Sequence, residues 1–187
     1  MSNFDETVKL AVDFDFDYSK LPHPSTREGE LEFLSTYDPT KYGVAPDDVV
    51  MTADACVFTV VDDVLKILLI KRGNHPYKDF WCLPGGFIDL ADGNPAVAAV
   101  RELEEETGVT GLKPMFVNVY QYRWRDPRLK NNVSFAFGFY VEETIKAVGA
   151  DDAVDAKWVD AKDVLNGNIP VGFDHQLIIA DAITTVF

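Results

Sequence analysis

The chain has 187 residues, 47% of them hydrophobic and 26% charged, with a formal net charge of −14 at pH 7. That length and apolar content suit one medium domain with a single core, joined to an extension. The acidity opposes binding to the phosphate backbone of DNA or RNA, no apolar run reaches the roughly 18 residues that a membrane span needs, and MSNFDETVKL lacks the character of a secretion leader, so we expect a soluble, cytoplasmic protein.

Residues 1–45 carry Pro, Ser and Thr punctuation and no sustained period, and are expected to form an N-terminal extension. Within it Phe14, Phe16 and Tyr18 alternate with aspartates. This is the pattern of either a short strand with one buried face or a loosely docked arm. As a strand it would suit dimerisation by addition to a sheet edge.

Residues 46–187 read as the main domain. Short β-rich runs occur at 52–61, 66–72, 80–88, 114–124, 132–143 and 156–160. Cys56 and Cys82 fall inside two of them and read as small buried thiols of a reducing compartment rather than a disulfide. Helices are predicted over 95–107 and 174–186, with a shorter one over 161–167. In the last long helix Ile179, Ala182, Ile183 and Val186 make one apolar stripe. Short strands mixed with few helices predict the α/β (α+β mixed) class, with a mixed sheet flanked by helices in layers.

The stretch PGGFIDLADGNPAVAAVRELEEETGV, residues 84–109, concentrates the chemistry. Asp92, Gly93 and Asn94 supply turn and N-cap groups, Pro95 suits the first helical position, and Gly108 suits the C′ position. At 100° per residue Ala96, Ala99, Val100 and Leu103 share a core face, whereas Glu102, Glu105 and Glu106 fall together beside it and Glu104 points to water. Like charges at these spacings repel, and they sit at the negative end of the helix dipole. Arg101 offsets only part of that charge. A hard divalent cation such as Mg²⁺, shared with a substrate phosphate, would offset the rest. Basic residues lie before the stretch (Lys71, Arg72, Lys78) and after it (Arg123, Arg125, Arg128, Lys130). They read either as ligands for a small anion or as solvated loop charges.

GGFIDLADGNPAVAAVRELEEETGV resembles the Nudix box, whose pattern is Gly, five residues, Glu, seven residues, Arg-Glu, an aliphatic, any residue, Glu-Glu, any residue, Gly, an aliphatic. Arg101, Glu102, Leu103, Glu105, Glu106, Gly108 and Val109 match its second half. The first half departs: counting from Gly86, Asp92 stands in place of Glu, and one extra residue separates it from Arg101. The segments KRGNHPYKDFWCLPGGFID (71–89), YRWRDPR (122–128), KWVDAKDVL and VGFDHQLIIADA look like the ADP-ribose pyrophosphatase branch, and like Nudix-related regulators of NAD metabolism that sense the same ligand. Those regulators add a winged helix-turn-helix after this domain. Since the chain stops at Phe187 and is acidic, we expect an enzyme rather than a repressor.

The resemblance implies a Nudix fold, an α/β/α sandwich with a central mixed β-sheet. It implies a Mg²⁺-dependent pyrophosphohydrolase, with Mn²⁺ as an alternative ion, that cleaves ADP-ribose or a related nucleoside diphosphate derivative to AMP and a sugar phosphate. Alternatives are an ADP-ribose sensor with weak or no hydrolysis, and an enzyme acting on nucleoside triphosphates. By resemblance Glu102, Glu105 and Glu106 hold the metal with the carbonyl of Gly86, and Arg101 orients them. Glu105 is the first choice for general base, ahead of Asp126 and Glu142 or Glu143. Arg72, Arg125 and Arg128 are candidate diphosphate ligands. Trp81 is the candidate ring for adenine, while Tyr77, Phe80, Tyr122 and Trp124 read either as stacking rings or as core. Trp158 reads as core, and His175 either as the residue that fixes the start of the last helix or as a ligand contact. His75 lies in a segment resembling the branch, and His23 in the extension. The branch also implies a homodimer.

Overall fold

The computed structural model describes residues 1–150 and 153–187, and among them seven strands form one mixed sheet. They are β1 (Val50–Val61), β2 (Val64–Arg72), β3 (Trp81–Cys82), β4 (Gly85–Phe87), β5 (Met115–Tyr120), β6 (Asn132–Tyr140) and β7 (Ala153–Asp160). The order β3-β2-β1-β6-β5 is joined by β4 on β1 and β7 on β2. Among the described strands β1 and β6 pair in parallel and the other strand pairs are antiparallel. β1 and β2 are joined by Asp62 and Asp63, both at positive φ, the backbone shape whose twist matches a two-residue hairpin.

Period-two alternation on the two central strands builds two cores. Ala53, Ala55 and Val57 of β1 and Leu68 of β2 face Ala98, Ala99 and Leu103 of helix α3 (Pro95–Thr107). Cys56 and Phe58, with Leu65, Ile67 and Leu69, face Ile178, Ile179, Ala182 and Ile183 of α5 (His175–Val186). The result is a helix–sheet–helix sandwich. Gly138 of β6 allows α5 to lie close, since a Cβ there would stand 2.5 Å from Val186.

The run 80–88 does not form one strand. Pro84 has no N–H for a ladder, and the chain there steps from β3 on β2 to β4 on β1. That step sets Gly85 opposite Asp54 and Gly86 opposite Ala53.

Residues 1–45 pack onto the sandwich. Helix α1 (Asn3–Val12) starts at a Ser2–Asp5 capping box, buries Thr7 and Ala11, and lays Phe4, Val8 and Leu10 against the α5 side of the core. The alternating aromatic segment is not a strand. Its rings pack on one another instead: Phe14 on Phe16, Phe16 on Tyr18, and Tyr18 stacked on Tyr122 at 3.8 Å between centroids. Helix α2 (Glu30–Thr36) begins at Glu30, fully buried, whose carboxylate accepts from Arg27, His75 and the Tyr77 backbone N–H. The short helix α4 is Ala161–Leu165. Among the described residues no helix is long and apolar enough to cross a membrane.

Candidate active site

Helix α3 is fixed at both ends before it presents any charge. Asn94 Oδ1 accepts from the N–H groups of Ala96 and Val97, Pro95 opens the helix, and Gly108 closes it at φ 72°. Glu102, Glu105 and Glu106 line a cavity of about 340 Å³ together with Asp54, Gly85, Gly86, Arg72 and the 125–128 loop.

Arg101 organises the helix side of this cavity, and all five of its N–H directions are engaged. Nε donates to Asp92 Oδ1 at 2.8 Å and Nη2 to Asp92 Oδ2 at 3.0 Å and the Phe87 carbonyl at 3.0 Å. Nη1 donates to Glu102 and Glu105 at 2.8 Å each. The guanidinium holds the Asp92 carboxyl below its ordinary range, and its hydrogen bond to Asp92 raises its own pKa. A 3₁₀ turn over Leu90–Asp92, in which the Asp89 N–H donates to Asp92, brings the shorter acid into reach despite the inserted residue.

The glycine pair lies directly against two of these glutamates. The Gly85 N–H donates to Glu106 Oε2 at 2.8 Å, and Glu106 is buried. A Cβ on Gly86 would lie 2.5 Å from the Glu102 carboxylate, so only glycine lets that acid rest against the backbone. Among the described residues no three His, Cys, Asp or Glu side chains converge on one point, because Glu102 and Glu105 are gathered on the guanidinium. The donor set of three carboxylates and the Gly86 carbonyl, all hard oxygens, fits a hard divalent cation once those side chains turn inward.

The floor is a buried polar cluster. The Leu83 N–H donates to His175 Nδ1 at 2.9 Å, which leaves the ring proton on Nε2, 3.8 Å from Asp54. Burial lowers the His175 pKa to about 3, so the ring is neutral. Burial also raises the pKa of Asp54, which accepts from Ser134 and lies 3.8 Å from Arg125.

A profile of the NUDIX domain matches residues 51–180. The chain belongs to the Nudix family. It is 37% identical over 123 residues to the ADP-ribose pyrophosphatase of Methanocaldococcus jannaschii, covering 65% of this chain and 68% of that protein. It is 32% identical over 156 residues to the ADPR responsive transcriptional repressor NtrR of Acinetobacter baylyi, covering 82% of this chain and 59% of the repressor. The NUDIX domain of Shewanella oneidensis NrtR, solved with ADP ribose, superposes with a TM-score of 0.68 at 31% identity, over 84% of this chain and 99% of that one. A bifunctional NMN adenylyltransferase/ADP ribose pyrophosphatase from Francisella tularensis gives a TM-score of 0.65 at 29% identity, over 80% of this chain and 44% of that one.

The Nudix cavity gathers Arg72, Gly86, Arg101, Glu102, Glu105, Glu106, Arg125 and Arg128, with Asp126. Their freedom differs. Arg125 is 4% exposed, forks onto Asp174 through Nε and Nη2, and donates through Nη1 to Asn132, so it braces the floor. Arg128 pairs with Asp126, with Nη2 2.7 Å from Oδ2, while Arg72 Nε donates to the Pro76 carbonyl and its guanidinium lies over the Phe173 ring. Burial pushes the Asp126 pKa up, but Arg128 and Arg125 outweigh it and leave it below the ordinary value. Asp126 Oδ1 also accepts from the Arg128 N–H, a turn contact.

Trp81 lies outside this cavity. It lines a separate groove with Phe80 and Ile169, and Lys157 Nζ sits 4.0 Å over its ring. Glu142 and Glu143 are exposed beyond the end of β6 and do not line the cavity. Tyr77 is buried with Phe173 and Cys82, and Phe80 packs against them. Tyr122 and Trp124 are exposed, Tyr122 being the ring on which Tyr18 stacks. Trp158 packs on the α3 side, donating to the Ile145 carbonyl. Asp54, Asn132 and Asp174 were not singled out in the sequence, although an aspartate inside the apolar run TADACVFTVV was a signal available there.

Proposed function

We propose that the protein is a Mg²⁺-dependent pyrophosphohydrolase that adds water across the diphosphate of ADP-ribose and releases AMP and a sugar phosphate. The observation that carries this reading is the placement of Glu102, Glu105 and Glu106 beside Gly85–Gly86 in one cavity, with Arg72 and Arg128 also lining it. The relationship to the M. jannaschii ADP-ribose pyrophosphatase supports the substrate.

Glu102, Glu105, Glu106 and the Gly86 carbonyl would hold Mg²⁺, with Mn²⁺ as a substitute. Bound there, the ion would neutralise the diphosphate and lower the pKa of the attacking water. Arg101 keeps the glutamates in register from behind. Glu105, the most exposed of the three, accepts the proton of the attacking water at a carboxylate oxygen. Arg72 and Arg128 bind the diphosphate. Arg125 positions the floor through Asp174 and Asn132.

A second reading, an ADP-ribose sensor, is supported by the A. baylyi repressor and by the NrtR domain solved with ADP ribose. The intact Asp92–Arg101 pair favours catalysis. The test is hydrolysis of ADP-ribose, NAD, NADH, diadenosine polyphosphates and dNTPs in one coupled assay. Preferred cleavage of ADP-ribose upholds the enzyme; binding without cleavage upholds the sensor; preference for dNTPs overturns both.

We also propose that the enzyme works in the cytoplasm, which suits its two buried free thiols, Cys56 and Cys82. A homodimer belongs to the same reading, with sedimentation of the full chain as its measurement. A monomer at micromolar concentration would reject it.

A further inference from the structure

The segment that precedes the matched Nudix residues contributes to a second cavity, of about 820 Å³, beside the acidic one. Phe33, Tyr37, Tyr42 and His75 form one side of it. The tyrosine rings are nearly parallel, 5.9 Å apart at 16°, and Phe33 stacks on His75 at 5.6 Å and 28°. Phe87 and Arg128 line both cavities. The Arg128 guanidinium lies 5.4 Å from the Phe87 ring centre.

This wall is held in place. Glu30, at the first turn of α2, fixes His75 at 3.0 Å and accepts from the Tyr77 backbone N–H at 3.0 Å, which ties the N-terminal segment to the loop between β2 and β3. Tyr37 and Arg128 line this cleft together, and Arg128 also lines the acidic cavity, so the aromatic wall shares a cavity with a cation of the acidic site. The aromatic surface stays open: Tyr42 is 73% exposed and Phe87 40%.

Away from Arg128, the aromatic and aliphatic lining of this cleft is a poor match for a phosphate. A planar, apolar-faced ring suits it, because aromatic faces stack on such a ring and displace water. Since the two cavities meet at Phe87 and Arg128, a ligand whose diphosphate sits among the glutamates can place a ring group between these walls. We propose that the cleft formed by Phe33, Tyr37 and Tyr42 seats the aromatic base of the nucleotide substrate, making the N-terminal segment a specificity element of the active site. This inference rests on the proposed pyrophosphohydrolase function, and it assigns the base to residues outside the family match.

The test compares AMP with ribose 5-phosphate, which shares its sugar and phosphate but lacks the base. Binding of both is measured by calorimetry for the wild type, Tyr37→Ala, Tyr42→Ala and Tyr37→Phe, beside steady-state hydrolysis of ADP-ribose. Stacking lost at one ring should raise the AMP Kd and the ADP-ribose KM roughly tenfold. The kcat should stay within about twofold, ribose 5-phosphate binding should not change, and Tyr37→Phe should match the wild type, because the ring rather than the hydroxyl is used. Tyr42→Ala guards against misfolding, since that side chain is mostly in solvent. Unchanged AMP binding in both alanine variants, equal weakening of ribose 5-phosphate, or no AMP binding by the wild type would each overturn the inference. Tyrosine-dependent AMP binding without any cleavage of ADP-ribose would instead sink the enzymatic function and leave the base site standing.

Discussion

Asp92 and Arg101 form a two-point pair, Nε to Oδ1 at 2.8 Å and Nη2 to Oδ2 at 3.0 Å, and the same guanidinium bridges Glu102 and Glu105. The pair determines where the arginine stands, and the arginine determines where two of the three site glutamates stand. Asp92→Asn keeps the size of the side chain and removes its charge. The expected outcome is a fall in kcat/KM of about 10- to 100-fold, the usual effect of losing an outer partner of a metal site. Steady-state kinetics across a metal titration check it; an unchanged kcat/KM would show that Arg101 needs no such support.

Glu106 is buried, and its Oε2 accepts from the Gly85 N–H at 2.8 Å. Glu106→Gln preserves an acceptor for that N–H while removing the negative charge. Turnover should fall by roughly 10²-fold or more, with ADP-ribose binding largely kept. Calorimetry beside the activity assay separates the two effects. Equal trace activity in the wild type and the variant would contradict a catalytic glutamate cluster.

His175 makes the stability depend on acid. Its folded pKa, about 3, lies below the ordinary 6.5, so between those values the unfolded chain binds a proton that the folded chain does not. Its contribution to stability is therefore complete above pH 6.5 and is lost progressively as pH falls towards 3, by at most about 1.4 kcal/mol per pH unit. His175→Asn retains an acceptor for the Leu83 N–H and cannot titrate. Urea unfolding at pH 7.5, 6 and 5 should show a shallower pH dependence for the variant; identical slopes would refute the neutral buried ring.

Glu30 and Arg27 are an ion pair at 2.7 Å, with side chains 0% and 5% exposed. Glu30→Ala strands the buried guanidinium and removes the acceptor of the Tyr77 N–H. Breaking one partner of such a pair costs about 3 kcal/mol or more. Chemical denaturation should register that loss, and a loss below roughly 1 kcal/mol would mean that α2 is only loosely attached.

What the sequence made legible follows from the range of the interactions. Helix α3 was readable because its signals are local: the Asn94 cap, Pro95, the Gly108 stop and glutamates repeating at helical spacing all lie within one short stretch. The mixed sheet flanked by helices was readable from apolar runs too short to be helices, but the single core expected is two, one on each face of the sheet. Arg125 was not. Its partner Asp174 is 49 residues away, and only folding turns a candidate phosphate ligand into a brace for the floor. Trp81 reads as a free ring because nothing in its neighbourhood announces Lys157, which β7 brings over it. The period-two pattern of Phe14, Phe16 and Tyr18 fits a strand equally well on paper, yet the rings are satisfied by packing on one another and on Tyr122. Asp54 is the complementary case, a lone acid in an apolar strand that gains meaning only opposite Gly85 and beside His175.

The most direct measurement of the central claim is release of AMP from ADP-ribose by the full chain, followed with Mg²⁺ present and again after EDTA, with ligand-induced melting shifts recorded on the same samples. The account predicts AMP release that requires Mg²⁺ and returns when the ion is restored. A clear rise in melting temperature with ADP-ribose and Mg²⁺, and no AMP formed, would contradict it and make the protein a receptor for the nucleotide.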